Sequence, residues 1–269
     1  MSLVETLVST ALVLALSGAI LSLVSAGQTI ARTQPETADL QQRARLALQT
    51  LGSELRGAGA GLDRGLAGPL NRYFPAVTPS FDGGITIWTT TSADAQATIA
   101  TPADQGATTV ALNDDAGCLP GDAACAFPAN GSAIAFTASG CRTTVRLAGV
   151  SADTLQLAAP LGGCSLAAGS AIAIGEVRTY RVDPAARQLI RRDEITGSTA
   201  PLLDGVAAMT VTFYADAGGS EIVSGTTDAD LMRVRRIRVT LRFVASNPLL
   251  RIPDLDVAVD VVPRNLEGG

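Results

Sequence analysis

The sequence predicts an α+β fold: one long N-terminal helix, apolar in its first half, packed through its second half on a β-rich globular head. Three observations carry this. After Glu5, no charged side chain occurs until Arg32. Residues 40–55 place apolar side chains at helical spacing. Beyond residue 84 the chain breaks into short β-branched runs separated by Gly, Asp, Asn and Pro, which is an all-β pattern.

The first element is MSLVETLVSTALVLALSGAILSLVSAGQTIAR. As a helix rising about 1.5 Å per residue, such a run spans about 40 Å, enough to cross a bilayer. It lacks the basic start and the small-residue cleavage site of a secretory signal. An ionisable group in such a segment is costly, so Glu5 is a functional residue by default and needs a partner. The candidate partner is the α-amino group of Met1 on a neighbouring copy. Gly18 and Gly27 are weak points in the helix, because Gly lowers helix stability by about 1 kcal/mol relative to Ala.

Thr33-Gln34-Pro35-Glu36 has the form of a capping box, with Thr33 at the N-cap and Glu36 at N3. Either a second helix starts here or one long helix kinks at Pro35. Leu40, Ala44, Ala47, Leu48, Leu51 and Leu55 then form an apolar stripe, with Gln42, Arg45, Gln49, Ser53 and Arg56 on another face. The run Gly57-Ala58-Gly59-Ala60-Gly61 predicts a helix stop and a flexible exit. The domain reading is an apolar helix over 1–31, an amphipathic helix over 32–61 and a head over 62–269.

In the head, residues 62–82 read as an extended loop, with Pro69, Pro75 and Pro79. Strands are predicted over 85–91, 108–112, 133–137, 143–150, 154–158, 170–174, 176–182, 187–192, 206–214, 233–244 and 255–262. In the last two, Ile237, Val239, Leu241 and Phe243 alternate with Arg236, Arg238, Thr240 and Arg242. Leu255, Val257, Val259 and Val261 alternate with Asp254, Asp256, Ala258 and Asp260. An antiparallel hairpin about Leu249 pairs Arg242 with Asp256 and Arg238 with Asp260. Such pairs contribute roughly 0.2–1 kcal/mol each and set register. A basic strip for DNA is the other reading of these arginines; the salt-bridged hairpin is preferred.

Composition removes whole chemistries. The chain of 269 residues has no His, and its twenty basic residues are all Arg. No His-based triad, His metal site or Lys Schiff base is possible. The net charge of −5 argues against a nucleic-acid coat. Nothing marks a carboxylate pair for hydrolysis, so the protein is read as a non-enzyme without cofactors. Asp114-Asp115, Asp228-x-Asp230 and Asp254-x-Asp256 do not fit a calcium loop and read as turn or edge-strand acids. Asn130-Gly131-Ser132 has the form of a glycosylation triplet and equally of an Asn-Gly turn. Trp88 reads as a core or interface residue.

Four cysteines lie at 118, 125, 141 and 164. An even count behind a membrane-crossing segment points to an oxidising compartment and two disulfides within a middle region of about 112–174. Three pairings are possible. Cys118–Cys125 with Cys141–Cys164 is preferred for its short loops.

The opening S-L-V-E-T-L-V resembles mature type IV pilins and type II secretion pseudopilins, in which Glu is the fifth residue. Met1 departs from the usual Phe but keeps the register. LQQRARLALQTLGSELRGAGAGL (40–62) resembles the helix end of PilW-type minor pilins and J-type pseudopilins. Residues 177–219, VRTYRVDPAARQLIRRDEITGSTAPLLDGVAAMTVTFYADAGG, resemble the β-region of the same group. The resemblance covers the first quarter of the chain well and the last third loosely. It implies a lollipop shape, a prepilin peptidase, an N-methylated Met1, and copies of itself or other pilins as partners in a helical polymer. It also implies an inner-membrane stage and then an extracellular filament, with Glu5 drawn to the amine of the subunit ahead. A secretion pseudopilin, or a membrane-anchored binding or adhesion domain that does not polymerise, is the alternative.

Overall fold

A computed structural model describes residues 2–62, 75–90, 95–113, 122, 124–137, 139–215, 221–222 and 227–263. The chain opens with one helix, α1 (Leu3–Arg56). Fourteen strands follow among the described residues. They are β1 (Val77–Pro79), β2 (Ile85–Thr90), β3 (Gln96–Thr98), β4 (Thr109–Ala111), β5 (Ser132–Phe136), β6 (Arg142–Ser151) and β7 (Thr154–Leu157), then β8 (Ala171–Asp183), β9 (Gln188–Asp193), β10 (Thr199–Asp204), β11 (Val206–Tyr214), β12 (Glu221–Ile222), β13 (Arg236–Phe243) and β14 (Leu255–Val261). A one-turn helix, α2 (Asp228–Leu231), precedes β13. The class is α+β, with antiparallel sheets throughout the described head.

The capping-box reading at Thr33 does not hold. α1 runs unbroken through Pro35. The Thr33 hydroxyl donates back to the Thr29 carbonyl at 3.0 Å, in the manner of a residue inside a helix. Glu36 is also diverted: its carboxylate accepts from the backbone N–H of Ser246, after β13. Tertiary contact therefore supports the helix just beyond the proline, where the sequence pattern suggests a break.

The exit from α1 is pinned rather than flexible. Gly59 N–H donates to the Trp88 carbonyl at 3.0 Å, and Thr90 N–H donates to the Ala60 carbonyl at 2.8 Å. Gly61 has φ +73°, and a Cβ there would lie 2.0 Å from the Thr90 hydroxyl oxygen. Only glycine fits both the left-handed backbone and the close approach.

β8 organises the head. Its first residues pair with β3 on one side and β5 on the other, while from Gly175 onward it pairs with β2 and then β9. The two runs predicted as separate strands, 170–174 and 176–182, are thus one strand that changes partners. Gly175 marks the crossing: an added Cβ would meet Ile134 Cδ1 at 2.5 Å and the Thr89 carbonyl at 2.6 Å.

Two hydrophobic clusters follow from this exchange. One is built on β3–β7 and the start of β8, with Ile99, Leu147, Leu155 and Ile172 fully buried. The other joins α1 to β2, the rest of β8, and a four-stranded sheet of order β12-β11-β13-β14. In that sheet Ile237, Val239, Leu241 and Phe243 share a face with Met209, Val211 and Phe213 of β11 and the valines of β14. The α1 stripe Leu40, Ala44, Ala47, Leu51 and Leu55, each at most 4% exposed, lies in the same cluster. Each buried Leu contributes about 1.5–3 kcal/mol.

β1, β3, β10 and β12 are strands that the β-branched runs do not reveal. They are two to six residues long. β1 lies in the stretch read as loop, and residues 63–74 of that loop are outside the described set.

Candidate functional site

Among the described residues, most of the exposed large apolar side chains lie on the first half of α1. Thirteen large apolar side chains between Leu3 and Ile30 are exposed, Leu3 at 80% and Leu23 at 78%. They surround the helix instead of forming a stripe: Leu12, Val13, Leu14 and Leu16 point in different directions and are each more than 60% exposed. A helix apolar all round belongs inside something. By length and composition α1 is sufficient to cross a membrane. At 1.5–3 kcal/mol per buried Leu, Val or Ile, covering this rod releases a gross driving force of the order of 20 kcal/mol or more.

Several hydroxyls on the rod are already satisfied by its own backbone. The Thr10 hydroxyl donates to Thr6 O at 2.9 Å. Ser25, Thr29, Thr33 and Thr37 donate back to the carbonyls of residues 22, 25, 29 and 33 at 2.9–3.0 Å. These hydroxyls therefore face their own helix. Gly18 and Gly27 have no neighbouring atom within 4 Å of an added Cβ, so both stand on open helix surface.

The second half of α1 is held by a socket on the head. Arg43 bonds Asp39 on the helix and reaches the Ser246 hydroxyl at 3.1 Å. Glu54 takes a hydrogen bond from Arg178 of β8 at 3.0 Å, and Arg178 also pairs with Glu176. Partial burial pulls the Arg178 pKa down, but the two carboxylates outweigh it and the net shift is upward. Beside them Tyr180 is fully buried, and burial pushes its phenol pKa strongly up, with the Glu54 carboxylate adding to the rise. The groups are about a third exposed, so each pair is worth at most about 1 kcal/mol. Their effect is to fix how the rod leaves the head.

The other residues singled out in the sequence are placed as follows. Glu5 falls within α1, but its side chain and the whole of Met1 lie outside the described residues. Cys141 and Cys164 form a disulfide, with Cα atoms 6.5 Å apart. Cys125 is also disulfide-bonded, while Cys118, its expected partner, lies outside the described residues. Arg238 Nη2 is 2.8 Å from Asp260, and Arg242 Nε is 2.9 Å from Asp256. The hydrogen bonds from these arginines hold both carboxyl groups below the ordinary value. Arg236 stacks on Tyr214, 4.1 Å from the ring centroid. The arginines of β13 are thus engaged by aspartates and a tyrosine.

Asp230 completes the capping box of α2 with Thr227, and Asp228, in its first turn, binds Arg142 at 2.7 Å. Asp114 and Asp115 lie outside the described residues, within which no cluster of three metal-ligating side chains occurs. Asn130 has φ +63° in a turn. Trp88 is 9% exposed. Sequence reasoning missed the Glu36–Ser246 and Glu54–Arg178 ties, which span 210 and 124 residues and leave no local signal. The Ser25–Thr29–Thr33–Thr37 ladder did carry one, a hydroxyl at every fourth position.

No family model matches the chain, and no curated protein does.

Proposed function

We propose that this protein is a structural subunit of a type IV pilus-like extracellular filament, with no catalysis of its own. One observation carries the reading. A single 54-residue helix is apolar and exposed all round in its first half, yet packed by a narrow stripe in its second. A simple membrane anchor needs about 20 apolar residues and no rigid continuation into a folded head. A rod that must first lie in lipid and then in a bundle of like rods needs both.

On this reading the subunit waits in the inner membrane after processing by a prepilin peptidase, and the assembly machinery adds it to the base of the polymer. Lipid around the rod is exchanged for the helices of other subunits. Glu5 pairs with the amine of Met1 on the neighbour ahead. An unpaired carboxylate there is expensive, so the pair sets axial register more than it supplies cohesion. Cohesion comes from the packed Leu, Val, Ile and Ala surface. The resemblance to PilW-type minor pilins favours a minor subunit over a major one.

The test is Glu5→Ala, scored by electron microscopy of sheared surface material, with mass spectrometry of the N-terminus. The head should fold and the rod should insert as before, while filament yield collapses. Normal filament yield from the variant refutes the mechanism. Native protein that is found only in membranes, never in filaments, makes it a tethered domain.

A further inference from the structure

We propose that the outer face of the β1–β2–β8–β9 sheet is a binding groove for a neutral glycan chain, independent of how the rod assembles. The groove has a volume of about 460 Å³ and runs between this sheet and the start of β6. That size suits a small ligand or a short length of polymer.

Its floor is a row of hydroxyls set by strand register. Thr78 of β1 stands opposite Thr86 of β2, Thr86 opposite Thr179 of β8, and Thr179 opposite Arg192 of β9. Neighbouring strands lie about 4.7–4.9 Å apart, so hydroxyls recur across the face at that interval. A pyranose ring advances a glycan chain by nearly the same distance. The Thr86 and Thr179 hydroxyls bond each other at 2.8 Å. A hydroxyl has one donor and two acceptor positions; Thr179 is only 4% exposed, so it serves to orient the half-buried Thr86 hydroxyl, whose remaining positions face the groove. Among the described residues the Thr78 and Thr144 hydroxyls have no hydrogen-bond partner.

Phe81 forms the lip. It is wholly exposed at the β1–β2 turn, and the turn is braced. Ser80 N–H donates to Gly84 O at 2.9 Å, Gly83 N–H donates to Ser80 O at 3.1 Å, and Asp82 pairs with Arg181 at 2.9 Å. A bare aromatic ring carried on a braced turn beside a hydroxyl row offers an apolar plate to the C–H face of a sugar while the threonines take its hydroxyls.

The charges at the groove indicate a neutral ligand. Arg142 is bound to Asp228 at 2.7 Å and lies 5.3 Å over the Trp88 ring. Glu194 pairs with Arg192 at 3.4 Å. Both charged side chains that line the groove among the described residues are thus matched, which leaves little net field to draw an ionic ligand. Polar groups that hydrogen-bond without net charge suit a polyhydroxylated chain.

Trp88 is the single tryptophan of the chain and lies on the groove floor, so it reports binding directly. The full chain, in a zwitterionic detergent without a sugar headgroup, is titrated with cellohexaose, chitohexaose and maltohexaose, and with an uncharged Gly/Ser decapeptide. A saturable change in Trp88 emission is expected with at least one oligosaccharide. Phe81→Ala should weaken it about tenfold and Thr78→Val several-fold, with thermal unfolding unchanged in Phe81→Ala, whose side chain is wholly exposed, and nearly so in the same-shape Thr78→Val. The proposal is overturned by no saturable response to any oligosaccharide up to about 10 mM, by a response that both variants retain in full, or by a response to the decapeptide alone.

Discussion

Replacing Gly61 by Ala should destabilise the head by about 3 kcal/mol, because two independent penalties meet at that residue. Its φ of +73° costs an L side chain about 1–2 kcal/mol. The new Cβ, 2.0 Å from the Thr90 hydroxyl oxygen and 3.0 Å from the Thr90 carbonyl, forces a shift worth about 1–3 kcal/mol. Thr90 is 5% exposed and carries the 2.8 Å bond to Ala60 that closes the joint, so there is little room to give. The assay is equilibrium urea unfolding followed by Trp88 emission, whose residue shares the joint through the Gly59 bond. A loss of about 3 kcal/mol lowers the melting temperature by roughly 6–12 °C for a domain of this size. Thr90→Ala removes the obstructing hydroxyl at a cost of about 1 kcal/mol for its 3.2 Å bond to Ala60. The double variant should then lose less than the sum of the two, by about 1 kcal/mol or more, since the residues touch. Gly27→Ala, on open helix surface, serves as a control and should leave head unfolding unchanged. A Gly61→Ala change below about 0.5 kcal/mol, or strict additivity with Thr90→Ala, refutes the reasoning.

Gly175→Ala should cost about 1–3 kcal/mol by the same measurement, since the Thr89 carbonyl 2.6 Å away is backbone and cannot turn aside. Removing the Cys141–Cys164 bond with Cys141→Ser and Cys164→Ser frees a 23-residue separation and should cost about 3 kcal/mol in urea. The Arg238–Asp260 pair predicts an acid dependence. Asp260 titrates below its ordinary 3.8 in the fold, so its contribution is present above that value and is lost as pH falls through the depressed one. Stability measured from pH 5 to pH 2 should therefore fall, and fall less steeply in Asp260→Asn; equal slopes refute the linkage.

Much of the fold is legible locally. The α1 stripe from Leu40 to Leu55 reads at a period near 3.6; Leu40, Ala44, Ala47, Leu51 and Leu55 are buried as that period requires, while Leu48, read as part of the stripe, is only half-buried at its edge. The last two strands alternate so regularly that a one-residue slip would turn an apolar face outward, and of the registers that avoid this the one adopted sets Arg238 opposite Asp260 and Arg242 opposite Asp256. The misreading at Thr33 has the opposite cause. A capping box is a local signal, and there a tertiary bond from Ser246 N–H engages Glu36 instead. The short strands β1, β3, β10 and β12 were illegible for a related reason. Their segments, VTP, QAT, TAPLLD and EI, each carry a Pro or only one β-branched residue, and such strands exist because a neighbour offers them an edge.

What the amino-acid order by itself determined is the division of labour: a rod that water does not favour, a stripe that seats it, and a head of alternating strands. These are set by the nature and period of adjacent side chains, so they can be read without a partner. What only the tertiary structure decided is where distant segments meet. Sharing β8 between two sheets, locking the joint at Gly61, and lining up Thr78, Thr86 and Thr179 across three strands all join residues from separate stretches of chain. No local pattern specifies such meetings, because their free energy comes from contacts that exist only after the chain has closed upon itself.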